Sequence, residues 1–102
     1  MFAPNEDQWR KDCRQAAELI RQDGWCQGIS RKSTGERCLM DAIRGATGYN
    51  QNIALDYERY KDVRSRICEK LNVIYPTHWN DDPMRTKEEV VDLLEDVAVE
   101  FE

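Results

Sequence analysis

Three residues of this chain have side chains that could together support nucleophilic catalysis: Cys26, Cys38 and His78. A thiol becomes a nucleophile when a neighbouring base or positive charge lowers its pKa, and His78 is the only histidine. With Asn80 or Asp81 to orient the imidazole, these residue types would suit a thiol-dependent hydrolase. No local nucleophile signature surrounds either cysteine, however, and buried thiols commonly pack as small hydrophobic side chains. We therefore expect no catalytic residues here and keep the thiol hydrolase as the alternative function.

The spacing of the cysteines also bears on metal binding. A structural zinc site takes four Cys or His ligands, usually with a close Cys-x-x-Cys or similar pair. Here eleven residues separate Cys26 from Cys38, while Cys13 and Cys68 fall on or beside apolar helical stripes. The pattern predicts packing roles, with no metal site and no cofactor.

Residues 30–37, SRKSTGER, place basic side chains ahead of a predicted helix N-terminus, the end of a helix that favours anions. The Gly-x-x-x-x-Gly-Lys-Ser/Thr motif is absent and no strand pattern precedes the segment. We interpret it as a solvated polar loop. Arg31 and Lys32 are then the best candidates for contact with an acidic partner surface.

Length and charge limit the classes of function. The 102 residues suit one domain, residues 1–102, and the composition of 34% charged and 40% hydrophobic residues is typical of a soluble globular protein. The net charge is −5, and residues 50–102 carry thirteen acidic but only seven basic side chains. Such a field repels phosphate backbones, so the sequence disfavours nucleic acid as a partner.

The N-terminus, MFAPNEDQW, has neither the basic start nor the apolar segment of a signal peptide, and no apolar run is long enough to span a bilayer. We expect a cytoplasmic protein with reduced thiols and no membrane partner.

Two helices flank the segment that is rich in glycine and cysteine. Asn5 opens a capping-box pattern at the start of the first helix, and Gly24 supplies a left-handed stop. The second helix would begin after Ser33 or Thr34 as the N-cap and end at Gly48. The chain between them forms an irregular loop or a short hairpin, of which we favour the loop.

The second half of the chain predicts two longer helices. The first runs from Asn50 to about Asn72, with Arg64 interrupting its apolar stripe, and residues 75–85 form a connecting loop rich in turn residues. A capping box of Thr86 and Glu89 starts the last helix. Its apolar positions are Val90, Leu94, Val97 and Phe101. The sum is a compact all-α bundle of about four helices in a single domain.

Four short motifs together resemble a known family. They are Gly-Trp-Cys-Gln-Gly at residues 24–28, Cys-Leu-x-x-Ala-Ile at 38–43, Trp-Asn-Asp at 79–81 and Arg-Thr-x-x-Glu-Val at 85–90. In this order they resemble an uncharacterised domain family of actinobacteria and their phages. The resemblance implies a bacterial or phage origin and a compact domain that stands alone. It carries over no catalytic or binding residues.

The sparse catalytic groups favour a non-enzymatic function. We expect a small, phage-encoded protein of the host cytoplasm that acts by protein–protein interaction, with a host protein or a second copy of itself as the partner. The candidate contact residues are Trp25, Gln27, Arg31, Lys32 and Trp79. The two tryptophans and Gln27 also admit a structural role, in which they staple the two motif loops to the helices.

Overall fold

A computed structural model describes residues 7–49 and 57–100. It contains five helices: α1 Gln8–Asp23, α2 Leu39–Thr47, α3 Tyr57–Leu71, α4 Pro76–Asn80 and α5 Lys87–Val99. The described residues contain no strand, which confirms the all-α prediction, and the four longer helices correspond to the four predicted. The radius of gyration is 13.0 Å, close to the ~13 Å of a compact 100-residue domain.

Helix α1 packs most extensively against α5 and α2, and to a smaller extent against α3. Its buried apolar side chains are Trp9, Cys13, Ala16, Ala17 and Ile20. The predicted end at Gly24 is confirmed: Gly24 has a φ of 89°, and its N–H donates to the Ile20 carbonyl over 2.9 Å. The helix begins at Gln8 after Asp7, while Asn5, the predicted cap, lies outside the described residues.

Two polar links fix α1 to the later helices. The nearly buried Asp12 carboxylate accepts two hydrogen bonds from the Arg59 guanidinium of α3, over 2.7 and 3.2 Å. Arg10 donates over 2.7 Å to the carbonyl of Ala98, in the last turn of α5. The last carbonyls of a helix have no hydrogen-bond partner within the helix. The Arg10 guanidinium therefore supplies the missing donor for one buried carbonyl at the end of α5.

The capping box at the start of α5 is confirmed in both directions. The Glu89 N–H donates to the Thr86 hydroxyl over 3.2 Å, and the Thr86 N–H donates to the Glu89 carboxylate over 3.1 Å. The predicted inner positions Val90, Leu94 and Val97 are buried; Phe101 lies outside the described residues.

The predicted start of the second helix was wrong: the N-cap of α2 is Cys38, not Ser33 or Thr34. Those two residues lie in the turn that the Gly35 N–H closes onto the Lys32 carbonyl. The chain then pairs with the preceding loop, so helical geometry cannot begin until after Cys38. The predicted end at Gly48 is confirmed by its left-handed conformation, with a φ of 74°.

Residues 75–85 are not a continuous loop, because Pro76–Asn80 forms the short helix α4. Proline suits the first helical turn, where its missing N–H and fixed φ cost nothing. Helix α3 ends at Leu71, and Asn72 has a φ of 54°. The predicted start of this helix at Asn50 lies outside the described residues. Arg64 is half-buried, and its guanidinium donates to the Ile74 carbonyl over 3.3 Å.

Candidate functional site

The loop between α1 and α2 is irregular, as favoured from the sequence, and its two arms are paired by backbone hydrogen bonds. Arg37 donates to the Gly24 carbonyl and Cys26 donates to the Arg37 carbonyl, over 3.0 and 3.1 Å. Further along, Cys38 donates to the Ser30 carbonyl over 2.9 Å. These contacts produce isolated bridges at Trp25–Arg37 and Arg31–Arg37 and no strand within the described residues.

The buried side chain of Asn80, at the end of α4, holds this loop in place. Its Oδ1 accepts from the Trp25 indole N–H over 2.7 Å and from the Leu39 backbone N–H over 3.0 Å. Its Nδ2 donates to the Cys26 carbonyl over 3.1 Å and to the Asp81 carboxylate over 3.0 Å. Both lone pairs and both protons of the amide are therefore used, at a position with 0% exposure.

Two further contacts extend this arrangement. Gln27 Nε2 donates to the carbonyls of Asn80 and Asp82, over 3.0 and 2.7 Å. The Gly28 N–H donates to the Asp81 carboxylate over 3.0 Å. We name Trp25, Gln27, Gly28, Asn80 and Asp81 the Asn80 junction. It joins the Gly-Trp-Cys-Gln-Gly motif to the Trp-Asn-Asp motif, which are more than fifty residues apart.

Trp79 lies beside this junction and contacts Arg85. The Arg85 guanidinium lies 3.8 Å from the Trp79 ring centroid, and its Nε donates to the Trp79 carbonyl over 3.0 Å. Arg85 also pairs with Glu89 over 2.9 Å, which connects the junction to the capping box of α5. These contacts support a structural role for Trp25, Gln27 and Trp79, in which they attach the two motif loops to the helices.

Arg31 and Lys32 lie at the exposed tip of the same loop. Within residues 7–49 and 57–100, neither side chain forms an ion pair. Both charges therefore face solvent on a loop whose base is fixed by buried hydrogen bonds.

The two loop cysteines do not have the electrostatics of a nucleophile. Cys26 is 3% exposed, and its Sγ lies within hydrogen-bonding distance of the Ile29 and Glu36 carbonyl oxygens, at 3.3 and 3.4 Å. Burial raises the pKa of the Cys26 thiol, and the nearby Cys38 raises it further. Burial also raises the pKa of Cys38. Both groups are thus protonated thiols at neutral pH, the opposite of what nucleophilic attack requires.

His78 is exposed, with its ring centroid 5.3 Å from that of Tyr75. No hydrogen bond in the described part of the chain joins it to either loop thiol. The same residues contain no group of three or more Cys, His, Asp or Glu side chains arranged to hold a metal ion.

A cleft of about 360 Å³ opens beside the loop, which the sequence did not predict. The loop, α2, α3 and the start of α4 form its walls. Its charged side chains are Arg44, Arg64 and Asp81, and its rings belong to Tyr60 and Tyr75. We name it the Arg44 cleft.

Sequence reasoning missed the role of Asn80, which it treated only as a possible partner for His78. A usable signal was present, since the Gly-Trp-Cys-Gln-Gly and Trp-Asn-Asp motifs each place a polar amide within two residues of a tryptophan. Buried indole N–H groups need acceptors, and a buried amide needs both donors and acceptors.

None of the helices in the described ranges combines the length and the apolar character needed to cross a membrane. No curated protein and no solved structure is similar enough to this chain to match it. One family model does match, over residues 5–100, which include all four sequence motifs and the whole Asn80 junction. The chain therefore belongs to the family of unknown function DUF6197.

Proposed function

We propose that this protein is a non-enzymatic interaction module that binds a partner protein through the exposed side of the loop between α1 and α2. The observation that carries the proposal is the Asn80 junction, which fixes the base of the loop by a fully bonded buried amide. A loop that is ordered before binding loses less conformational entropy when the partner arrives. Such preorganisation is a property of binding surfaces.

The five candidate residues then divide into two roles. Trp25 and Gln27 position the loop, because their polar atoms are bonded within the junction. Arg31 and Lys32 make the contact, because they are exposed and carry charge. Trp79 is half-buried under Arg85 and supports the junction from the side of α4.

The sequence motifs support a setting for this interaction. Their resemblance to domains of actinobacteria and their phages favours a phage-encoded protein that acts in the host cytoplasm. The partner is a host protein or a second copy of the chain. The thiol-hydrolase alternative has no comparable support, since burial raises the pKa values of both loop thiols.

The test is a pull-down from nuclease-treated actinobacterial lysate with tagged protein. Wild type is compared with an Arg31→Ala, Lys32→Ala variant and with a control variant, Lys11→Ala, Lys61→Ala, which removes two exposed charges elsewhere. We expect a saturable host protein that is retained by wild type and control and lost by the loop variant. Retention by all three would place the contact surface elsewhere.

Self-association is measured on the same samples by sedimentation across a range of concentrations. A wild-type oligomer that the loop variant dissociates and the control retains would identify a second copy as the partner. A wild-type protein that remains monomeric and captures nothing would contradict the proposed function.

A further inference from the structure

The Arg44 cleft has the size of a recognition site for a few side chains. Its volume, about 360 Å³, is at the lower end of the ~300–1,000 Å³ range of ligand sites. Gly28, Ile29 and Ser30 of the loop form one wall, opposite the α2 and α3 side chains. Because the Asn80 junction fixes the Gly28 backbone, this wall is held in place before any ligand binds.

The charges of the cleft are unbalanced. Asp81, the one carboxylate among the described residues that line the cleft, already accepts from the Gly28 N–H and from Asn80. Arg64 donates to the Ile74 carbonyl. Arg44, in the last turn of α2, is half-buried yet forms no hydrogen bond or ion pair with any residue that the structure describes. In a chain of net charge −5, the cleft is therefore a local site of positive charge.

Arg44 differs from other half-buried arginines of the chain in its lack of a carboxylate partner among the described residues. Arg37, also half-buried on the neighbouring side of the loop, bonds to Asp23 and Asp41 over 2.8 and 3.0 Å. Arg85 pairs with Glu89. A partly desolvated guanidinium is stabilised by an opposite charge. No carboxylate of residues 7–49 or 57–100 supplies that charge at Arg44, and a ligand could.

Exposed apolar and aromatic side chains also line the cleft. Ile29 is 55% exposed and Tyr75 is 58% exposed, and both line the cleft. The adjacent Ile74 is 74% exposed. Tyrosine and arginine are, with tryptophan, enriched in the energetically dominant contacts of protein interfaces. The cleft therefore combines guanidinium groups with exposed apolar side chains, which fits a ligand that carries both a carboxylate and an apolar side chain.

We propose that the Arg44 cleft binds an acidic peptide segment of the partner protein, with a carboxylate on Arg44 and Arg64 and an apolar side chain against Ile29 and Tyr75. This inference rests on the proposed function and names the chemistry of the partner. A peptide with one or two carboxylates supplies both the charge and the apolar side chain, whereas a nucleic acid carries a phosphate at every nucleotide and so meets greater repulsion from the acidic C-terminal half.

The direct test is a titration of ¹⁵N-labelled protein followed by amide NMR. The probe is the blocked peptide acetyl-Leu-Glu-Glu-Leu-amide, and the control peptide is acetyl-Leu-Gln-Gln-Leu-amide, which has the same shape without charge. We expect saturable shifts of the Gly28, Ile29 and Ser30 amides with the Glu peptide. The Gln peptide should bind about tenfold more weakly, because charge-assisted hydrogen bonds are lost.

Two protein variants locate the site. Arg44→Gln should weaken binding of the Glu peptide about tenfold. Arg21→Gln, which removes an exposed guanidinium paired with Glu95 away from the cleft, should leave binding unchanged. Urea unfolding midpoints of both variants show whether each remains folded.

Several outcomes would overturn the inference. These are equal binding of the two peptides, shifts confined to other surfaces, and equal effects of Arg44→Gln and Arg21→Gln. Absence of shifts with the Glu peptide at millimolar concentration would also overturn it. So would inorganic phosphate or oligothymidylate shifting the same amides more strongly than the peptide does.

The lysate pull-down distinguishes this failure from failure of the proposed function. A partner that is lost with the Arg31, Lys32 variant but retained by Arg44→Gln would refute the cleft and leave the interaction module in place. A partner that both variants lose supports the cleft as part of the contact surface.

Discussion

The packing of α5 on α1 and the Asn80 junction both join distant parts of the chain, but they do so by opposite chemistry. Leu94 and Val97 of α5 are buried among apolar side chains, where stabilisation scales with area and depends little on direction. Asn80 is equally buried, yet its stabilisation comes from four directed hydrogen bonds. The apolar packing of α5 on α1 tolerates small shifts of its side chains. The Asn80 junction requires each hydrogen-bond partner to keep its position.

Stability and local shape therefore arise at different places in this fold. The apolar contact determines whether the bundle forms. The polar junction determines the conformation of one loop within a bundle that already exists. Changes at the two places should therefore have different consequences even when their energies are similar.

The largest loss of stability is expected for Leu94→Ala, about 4 kcal/mol of unfolding free energy. The side chain is 0% exposed, so its removal leaves a cavity as well as losing burial. Val99→Ala, at a 49% exposed position of the same helix, should change stability by no more than about 0.5 kcal/mol. Urea unfolding followed by circular dichroism measures both, and similar losses for the two variants would contradict the assignment of the core.

The next largest effect is expected for Asn80→Ala, about 3 kcal/mol, because the Trp25 indole and the Leu39 N–H lose their acceptor. Gln22→Ala, at an exposed amide of α1, is the control. Urea unfolding of each variant gives the change.

Thiol labelling sharpens the contrast between these two sites. Cys26 and Cys38 flank the junction, whereas Cys13 lies on α1, where burial raises its pKa to about 12. In Asn80→Ala, iodoacetamide should label the loop cysteines faster relative to Cys13, since the loop opens locally. In Leu94→Ala all three rates should rise together. Equal acceleration of Cys13 and Cys26 in Asn80→Ala would mean that the junction does not act as a local clamp.

The smallest effect is expected for Thr86→Ala, about 1 kcal/mol, from loss of the N-cap of α5. Thr77→Ala removes an exposed threonine hydroxyl that makes no hydrogen bond in the described residues, and it should be close to neutral. Thermal unfolding of the two variants tests this pair. A Thr86→Ala midpoint equal to that of wild type would show that the capping box contributes no stability.

Much of the fold could be predicted because its signals are local. The capping box of Thr86 and Glu89 and the stops at Gly24 and Gly48 each depend on neighbouring residues alone, and all three are confirmed. The N-cap at Cys38 could not be anticipated, since cysteine is not among the preferred caps and pairing within the loop selects it.

The candidate site was harder to predict, for physical reasons. Helix α4 has only five residues, too few to show a helical period. Asn80 bonds to Trp25 and Leu39, which are 55 and 41 positions away, so its role depends on how the helices are placed. Arg31 and Lys32 could be named from charge alone, but the cleft around Arg44 exists only where four segments meet.

The long sequence separation between Trp25 and Asn80 has a kinetic consequence. Contacts between distant residues form only after the intervening chain has been ordered, because loop closure costs entropy before the contact is made. The loop should therefore reach its final shape late in folding, after α1, α2 and α4 have assembled. We expect that a chain interrupted before residue 80 has helices but lacks the finished loop, so that binding of the proposed partner would report complete folding.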